Sequence, residues 1–253
     1  MWITEYRDLI WNLTISDLKV KYQSSVLGFA WSLLNPLLMM LVLYFVFSNI
    51  FRFEQEHFAL YLLIGIIAWR FLANGTMMAM GSIVGRAALV TKVFIPRQIL
   101  VLSSVLSAFI SSILEFIVLI PLLFILGVGL SYTFLFFPLI HLVYFLMVYG
   151  ASLILASLYV YFRDLNQIWD VVLQAGFFLS PIVYPISIIP VQYLEYYMLN
   201  PITVLIEVYR DVLLYGEIPS LPGLLGLIGF GALILLAGTL LFNRLERRFA
   251  EVI

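Results

Sequence analysis

Six stretches of the chain stay apolar long enough to cross a bilayer, and the polar residues fall mostly between them. The stretches cover approximately residues 29–51, 58–80, 99–128, 134–161, 169–189 and 221–242. A spanning helix needs about 20 mostly apolar residues, because about 30 Å of hydrocarbon is crossed at about 1.5 Å per residue with every backbone group bonded within the segment. The pattern predicts an all-α integral membrane protein with six transmembrane helices. The first run is too long for the apolar part of a signal peptide, about 7–15 residues, and it follows a polar stretch.

Three pieces are too polar to span. Residues 2–23 mix Trp2, Tyr6, Leu9, Ile10 and Leu13 with Glu5, Arg7, Asp8, Asn12 and Asp17, which suits a helix lying in the membrane surface. Residues 1–25 are therefore read as a cytoplasmic amphipathic interface helix, and 26–253 as the transmembrane domain. Within that domain lie a basic connection at 81–98 and an outer region at 185–221. In the outer region prolines separate two short amphipathic pieces, 191–199 and 202–214. The second reaches only about 20 Å and carries Glu207, Arg210 and Asp211, so it is expected to be interfacial or re-entrant.

Lysine and arginine then set the orientation. With the N-terminus inside, Arg7, Lys19, Lys21, Arg86, Lys92, Arg97, Arg163, Arg244, Arg247 and Arg248 are cytoplasmic, ten against Arg52 and Arg210 outside. Short loops rich in Lys and Arg stay in the cytoplasm, so both termini of this multi-pass protein are expected there. Composition narrows the class further. At 64% hydrophobic and 11% charged, the chain is far from the roughly 45–50% and about 25% of soluble domains, which excludes a soluble fold, a disordered chain and a nucleic-acid binder. Zero cysteines remove disulfides and thiolate chemistry, and His57 and His141 are too far apart in sequence to form a local His-rich cluster.

The chemistry that is missing is as informative. A phosphate-cradling loop needs G-x-x-x-x-G-K-[ST], and the only lysines, Lys19, Lys21 and Lys92, follow Leu18, Val20 and Thr91. Any ATP that drives this protein must be hydrolysed by a separate chain. Neither H-E-x-x-H nor G-x-S-x-G occurs, which disfavours an enzyme. Arg70, Glu115 and His141 are the candidates for binding an ion inside the spans, a poor set for a proton relay. Counted along the spans, Arg70 and Glu115 differ in depth by about 14 Å, which argues against a direct ion pair. Arg70 is left with two readings, structural or pathway-lining. Glu115 reads as a hydrogen-bonded structural group and His141 as a packed histidine.

Several local motifs then appear in order along nearly the whole chain. They are Asp17-Leu18-Lys19-Val20-Lys21-Tyr22-Gln23-Ser24-Ser25-Val26-Leu27-Gly28-Phe29-Ala30-Trp31 with Asn35-Pro36-Leu37, then Lys92-Val93-Phe94-Ile95-Pro96-Arg97, then Tyr161-Phe162-Arg163-Asp164-Leu165. Ser180-Pro181-Ile182-Val183-Tyr184-Pro185 and Asn200-Pro201 with Glu207 and Arg210 complete the series. Together they resemble the ABC-2-type polysaccharide and polyol-phosphate export permeases. Arg70 after Trp69 departs from that pattern, where an apolar or small polar residue is expected.

On the residues alone, Ser24, Ser25 and Gly28 are either a plain interfacial elbow or a lipid-headgroup or substrate contact, and the basic connection is a topology signal or an anionic-lipid contact. Arg163 and Asp164 read as an anchor and an N-cap, or as a phosphate or partner contact. Ser180-Pro181 and Tyr184-Pro185 break the fifth span near its outer end. The resemblance implies more. It makes Arg86, Lys92, Phe94, Pro96 and Arg97 the part that docks on an ATPase subunit. It makes Ser180, Pro181, Tyr184, Pro185, Asn200, Pro201, Glu207 and Arg210 an outer gate of short helices. It also implies a second copy of this chain, two nucleotide-binding ATPase subunits holding the ATP and Mg, and no cofactor on this chain.

The same resemblance implies a cargo of lipid-linked polysaccharide of the O-antigen type, leaving the cytoplasmic side of a bacterial inner membrane. Arg7, Lys19, Lys21, Ser24 and Ser25 are candidates for its headgroup. Sugars offer apolar C–H faces to rings, so Tyr44, Phe45, Phe47, Phe177 and Phe178, with Arg70, are candidates for the pore lining. Teichoic acid or capsular glycan export by the same fold is the near alternative, and an ion-coupled secondary transporter is the alternative of another class.

Overall fold

The computed structural model describes residues 2–23, 28, 30–50, 55–93 and 95–252, so Ser24, Ser25 and Phe94 lie outside the described residues. The described residues form helices and turns with no strand. The principal helices are α1 (Arg7–Tyr22), α2 (Ala30–Phe45), α3 (Phe58–Gly81), α4 (Ala87–Lys92), α5 (Gln98–Ile125) and α6 (Phe137–Tyr161). They continue with α7 (Leu165–Leu179), α8 (Val191–Met198), α9 (Pro201–Arg210) and α10 (Leu221–Leu245). "Outer" and "cytoplasmic" below follow the orientation that the charge split predicts.

Among the described residues five helical stretches are long and apolar enough to cross a membrane: Ala30–Ile50, Phe58–Gly81, Gln98–Ile125, Tyr132–Tyr161 and Leu221–Arg248. The expected span at 169–189 is different. Its helix, α7, has 15 residues, about 22 Å, and stops at Leu179. Ser180 is extended, as a residue before proline prefers, and Pro181 has no N–H to continue the ladder. Only a single turn, Ile186–Ile188, follows before α8.

α3 and α6 form the centre. In α3, 72% of the apolar window is buried, against 11% for Ala30–Ile50 and 17% for Leu221–Arg248. α3 packs on α5, α6 and α2, and α10 packs along α6. The last pairing brings backbone against backbone, since a Cβ on Gly238 would lie 2.3 Å from the Gly150 carbonyl oxygen. α7 leans on α3 through a side chain instead, a Cβ on Gly176 falling 2.7 Å from the Trp69 ring. The largely uncovered α2, α7 and α10 carry exposed apolar side chains such as Phe45, Val171, Leu233 and Leu240. In a membrane chain such faces meet lipid or another protein.

Candidate functional site

At the cytoplasmic end α1 is bonded to α5 and to the basic connection. Thr14 Oγ1 donates to Ile10 O at 2.8 Å and to Ser103 O at 3.4 Å. The Asp17 carboxylate pairs with Arg86 and accepts a hydrogen bond from Ser104 Oγ at 3.1 Å. A cavity of about 340 Å³ opens here, lined by Asp17, Met78, Gly81, Ser82, Gly85, Arg86 and Ser104. Arg86 is therefore turned inward to the N-terminal helix. Of the other candidates for partner docking, Lys92 is exposed at the end of α4, while Pro96 and Arg97 are half-buried ahead of α5. Gln98 Nε2 donates to Asn243 Oδ1 at 2.6 Å, tying the start of α5 to α10.

The headgroup candidates do not form one cluster. Arg7 and Lys19 are exposed on one helix 12 residues apart, about 18 Å along its axis. Lys21 falls in the last turn of the same helix. Asp164 occupies the N-cap of α7, but its side chain makes no cap hydrogen bond, so the expected cap is absent. Arg163 lies over the Tyr159 ring, 5.4 Å from its centroid.

At mid-membrane the expectation against an Arg70–Glu115 pair is overturned. Arg70 Nε lies 3.4 Å from Glu115 Oε2 and Nη2 lies 3.3 Å from Oε1, a forked pairing. The Glu115 side chain is 2% exposed and that of Arg70 is 23% exposed. Counting the two depths from opposite membrane faces separates them artificially. From the ends on the same side, Phe58 and Ile125, Arg70 is 12 residues in and Glu115 ten, about 18 and 15 Å. Because α5 is 28 residues long, about 42 Å, counting from its cytoplasmic end misplaces its acid.

His141 is packed, as its sequence context suggested. Its ring lies between Phe109 and Phe137 at 4.6 and 5.2 Å, with Ser112 Oγ 2.9 Å from Nε2 and the Tyr209 hydroxyl 2.7 Å from Nδ1. A neutral imidazole offers one donor and one acceptor, so the two hydroxyls satisfy it fully.

The pore-lining aromatics divide. Tyr44, Phe45 and Phe178 are exposed, whereas Phe47 and Phe177 pack against the core, Phe177 edge-on to Trp69 at 6.1 Å. A feature not expected from the sequence lies beside them. Gln167, Asp170 and Gln174 are all exposed along α7, and Gln174 Nε2 donates to Asp170 Oδ2 at 2.7 Å. Trp169 Nε1 donates to Thr76 Oγ1 at 2.8 Å, which fixes the opposite face of α7 on α3. The i, i+3, i+7 spacing of those polar residues within an apolar run was the signal for this stripe.

The outer candidates come together. Asn200 caps α9 by accepting from Ile202 N at 3.0 Å, Pro201 takes the first helical position, and Asn200 Nδ2 reaches Ser180 Oγ at 3.3 Å. Tyr61 OH donates to Tyr184 O at 3.2 Å, and Tyr184 OH donates to Phe178 O at 2.9 Å. Pro181 and Pro185 shape the stretch between. At the centre is Arg210, counted from the sequence among the outer charges yet wholly buried. Its Nη1 donates to Glu207 Oε1 at 2.6 Å, and its Nη2 donates to the carbonyls of Tyr61 and Ile182, each at 3.3 Å. The Tyr61 ring centroid is 3.3 Å from its Cζ. Among the described residues Arg210 Nε has no partner.

The described residues make a helical chain with five helices long and apolar enough to cross a membrane, the build of a multi-pass membrane protein. The chain belongs to the ABC-2 type transporter family, whose model matches residues 8–214. It is 30% identical over 248 residues to an O-antigen export system permease protein RfbA of Klebsiella pneumoniae, covering 97% of this chain and 95% of the relative. A protein of the same name from Myxococcus xanthus is 30% identical over 255 residues, with 98% and 96% covered. The polysialic acid transport protein KpsM of Escherichia coli is 23% identical over 258 residues, with 92% of each covered.

Proposed function

We propose that this chain is the membrane permease subunit of an ATP-driven exporter that carries lipid-linked O-antigen-type polysaccharide out across a bacterial inner membrane. The observation that carries this reading is similarity to O-antigen export permeases over nearly the full length of both chains. The missing phosphate-binding loop supports a division of labour in which two partner subunits bind ATP and Mg and this chain holds no cofactor.

In this reading two copies pair. α7 and the broken stretch 180–189 together complete a sixth crossing, so both termini are cytoplasmic. The exposed faces of α2 and α7 border the path. Gln167, Asp170 and Gln174 give it a polar wall, and Tyr44, Phe45 and Phe178 give rings on which sugar C–H faces slide. Lys92, Phe94, Pro96 and Arg97 meet the ATPase. Arg86, bonded to Asp17, passes its movement to α1 and α5. Lys19 and Lys21 meet the cargo's phosphate at the cytoplasmic mouth, and the bonded outer cluster around Arg210 is the closed gate.

Reconstitution with the partner ATPase and lipid-linked O-antigen tests the whole. ATP-dependent appearance of glycan on the far side is expected. Export without ATP or without the partner overturns the coupling, and transport of only a teichoic or capsular polymer overturns the cargo.

A further inference from the structure

A second groove, of about 450 Å³, lies between α1 and α5, and of its lining residues only Arg7 has a role above, as a headgroup candidate. Arg7, Asp8, Ile10, Trp11, Leu102 and Leu106 line it. Arg7 and Trp11 are one turn apart on α1, and Leu102 and Leu106 are one turn apart on α5, so the walls are two short ladders. The Thr14 and Asp17 contacts hold those walls together at the cytoplasmic end of α5. Leu102 and Leu106 are four and eight residues into α5, about 6 and 12 Å from its end, which is the depth where headgroups give way to acyl chains.

The polar rim is specific in sign. Arg7 and Asp8 are both exposed, and among the described residues neither forms an ion pair with the other or with any side chain. Trp11 lines the groove and is 57% exposed, and tryptophan is a residue favoured at membrane interfaces because an apolar ring system carries one N–H donor. A purely anionic headgroup would satisfy Arg7 but be repelled by Asp8. A choline headgroup carries both charges but has no N–H to give Asp8. A primary ammonium beside a phosphate satisfies both residues, through three donors on one side and acceptor oxygens on the other.

We propose that this groove binds an ethanolamine phospholipid of the cytoplasmic leaflet, with its phosphate on Arg7, its ammonium on Asp8 and an acyl chain along Ile10, Trp11, Leu102 and Leu106. The lipid fills the space between interface helix and span and fixes their spacing where α1 meets the basic connection. The site stands independently of the export reading, since its occupant is a structural lipid and not cargo.

The test needs neither ATP nor partner. The full chain is placed in phosphatidylcholine vesicles containing, in separate samples, equal amounts of dibrominated phosphatidylethanolamine, phosphatidylglycerol or phosphatidylcholine. Bromine quenches tryptophan at contact range, and the Trp11 signal is the difference between the native chain and Trp11→Phe. Enrichment of the ethanolamine lipid at Trp11 is expected to be about fivefold over phosphatidylcholine, which converts to about 1 kcal/mol. Both Asp8→Asn and Arg7→Gln are expected to abolish it, while quenching of the remaining tryptophans stays unchanged and shows that each variant is folded. Equal quenching by the three lipids, a preference for phosphatidylglycerol, or an ethanolamine preference that survives Asp8→Asn would overturn the proposal.

Discussion

Arg70 and Arg210 are both held by a carboxylate inside the fold, and they are held differently. Arg70 meets Glu115 from a neighbouring helix with a two-atom fork and keeps 23% of its side chain exposed. Arg210 has none exposed and meets a carboxylate of its own helix, two carbonyls from distant segments and one aromatic face. The first joins two spans and still touches the surface of a single copy. The second joins three pieces: the outer end of α3, the broken stretch after α7, and α9. A guanidinium can do this because its five N–H donors point in fixed directions, where an ammonium is only a point charge.

The largest effect is expected at Arg210. Arg210→Ala removes the donors for the Tyr61 and Ile182 carbonyls and strands Glu207. The cost of breaking a buried pair is about 3–5 kcal/mol, and Arg210→Lys should recover only part of it. Thermal unfolding of the purified chain measures the loss. Chymotryptic cleavage near Tyr193, Tyr196 and Tyr197 should report the loosened outer segment. A melting temperature unchanged by Arg210→Ala would mean that the arginine holds nothing.

Glu115→Gln comes next. It leaves Arg70 without its counter-charge, but the partial exposure of Arg70 lets polar surroundings replace some of it, so about 1–3 kcal/mol is expected. The double variant Arg70→Leu/Glu115→Gln should recover most of that loss, and the non-additivity of the cycle measures the coupling. Additive losses would show that the forked contact carries no energy.

The same contrast can be read chemically, because the chain contains no cysteine and single-cysteine variants are unambiguous. Arg70→Cys should react with a membrane-impermeant maleimide if its exposed side borders an aqueous path, whereas Arg210→Cys should stay unlabelled until the outer cluster opens. Equal labelling of both would remove the distinction between a path-facing and a sealed arginine.

Much of this was legible in the sequence. The apolar runs marked the long helices, and Pro181 marked where the 169–189 run breaks, although the run's hydropathy concealed that only 15 helical residues precede the break. The outer motif residues were recognised as a set, and they do converge. What the sequence could not supply was depth and partnership across distance. The Arg210 contact to Tyr61 joins residues 149 apart, so a basic residue between acids read as a solvated outer charge. The Arg70–Glu115 pair escaped because helix length was taken for membrane thickness. The polar stripe on α7 is hidden in an apolar run, and its exposure follows only from Trp169 and Gly176 facing α3.

The smallest expected effect sharpens the account of Arg210 from its chain neighbour. Asp211 is half-buried, and burial first, then the like charges of Glu207 and Glu217, push its carboxyl up from 3.8 to about 6, with Arg210 opposing. Arg210 offsets only part of this, its Nη1 being bonded to Glu207 and its Nη2 to two carbonyls. The folded chain therefore holds the Asp211 proton more tightly than the unfolded chain, so stability is greatest below pH about 4 and falls as pH rises toward about 6. Above that pH a constant penalty remains. Asp211→Asn cannot ionise, so it should match the native chain at pH 4 and exceed its stability at pH 7.5. Screening at a half-exposed site limits the gain to about 1 kcal/mol. Melting temperature against pH for the two proteins measures it: curves that diverge between pH 4 and 6 support an acid left unpaired beside a committed arginine, and parallel curves would show that Arg210 serves both carboxylates.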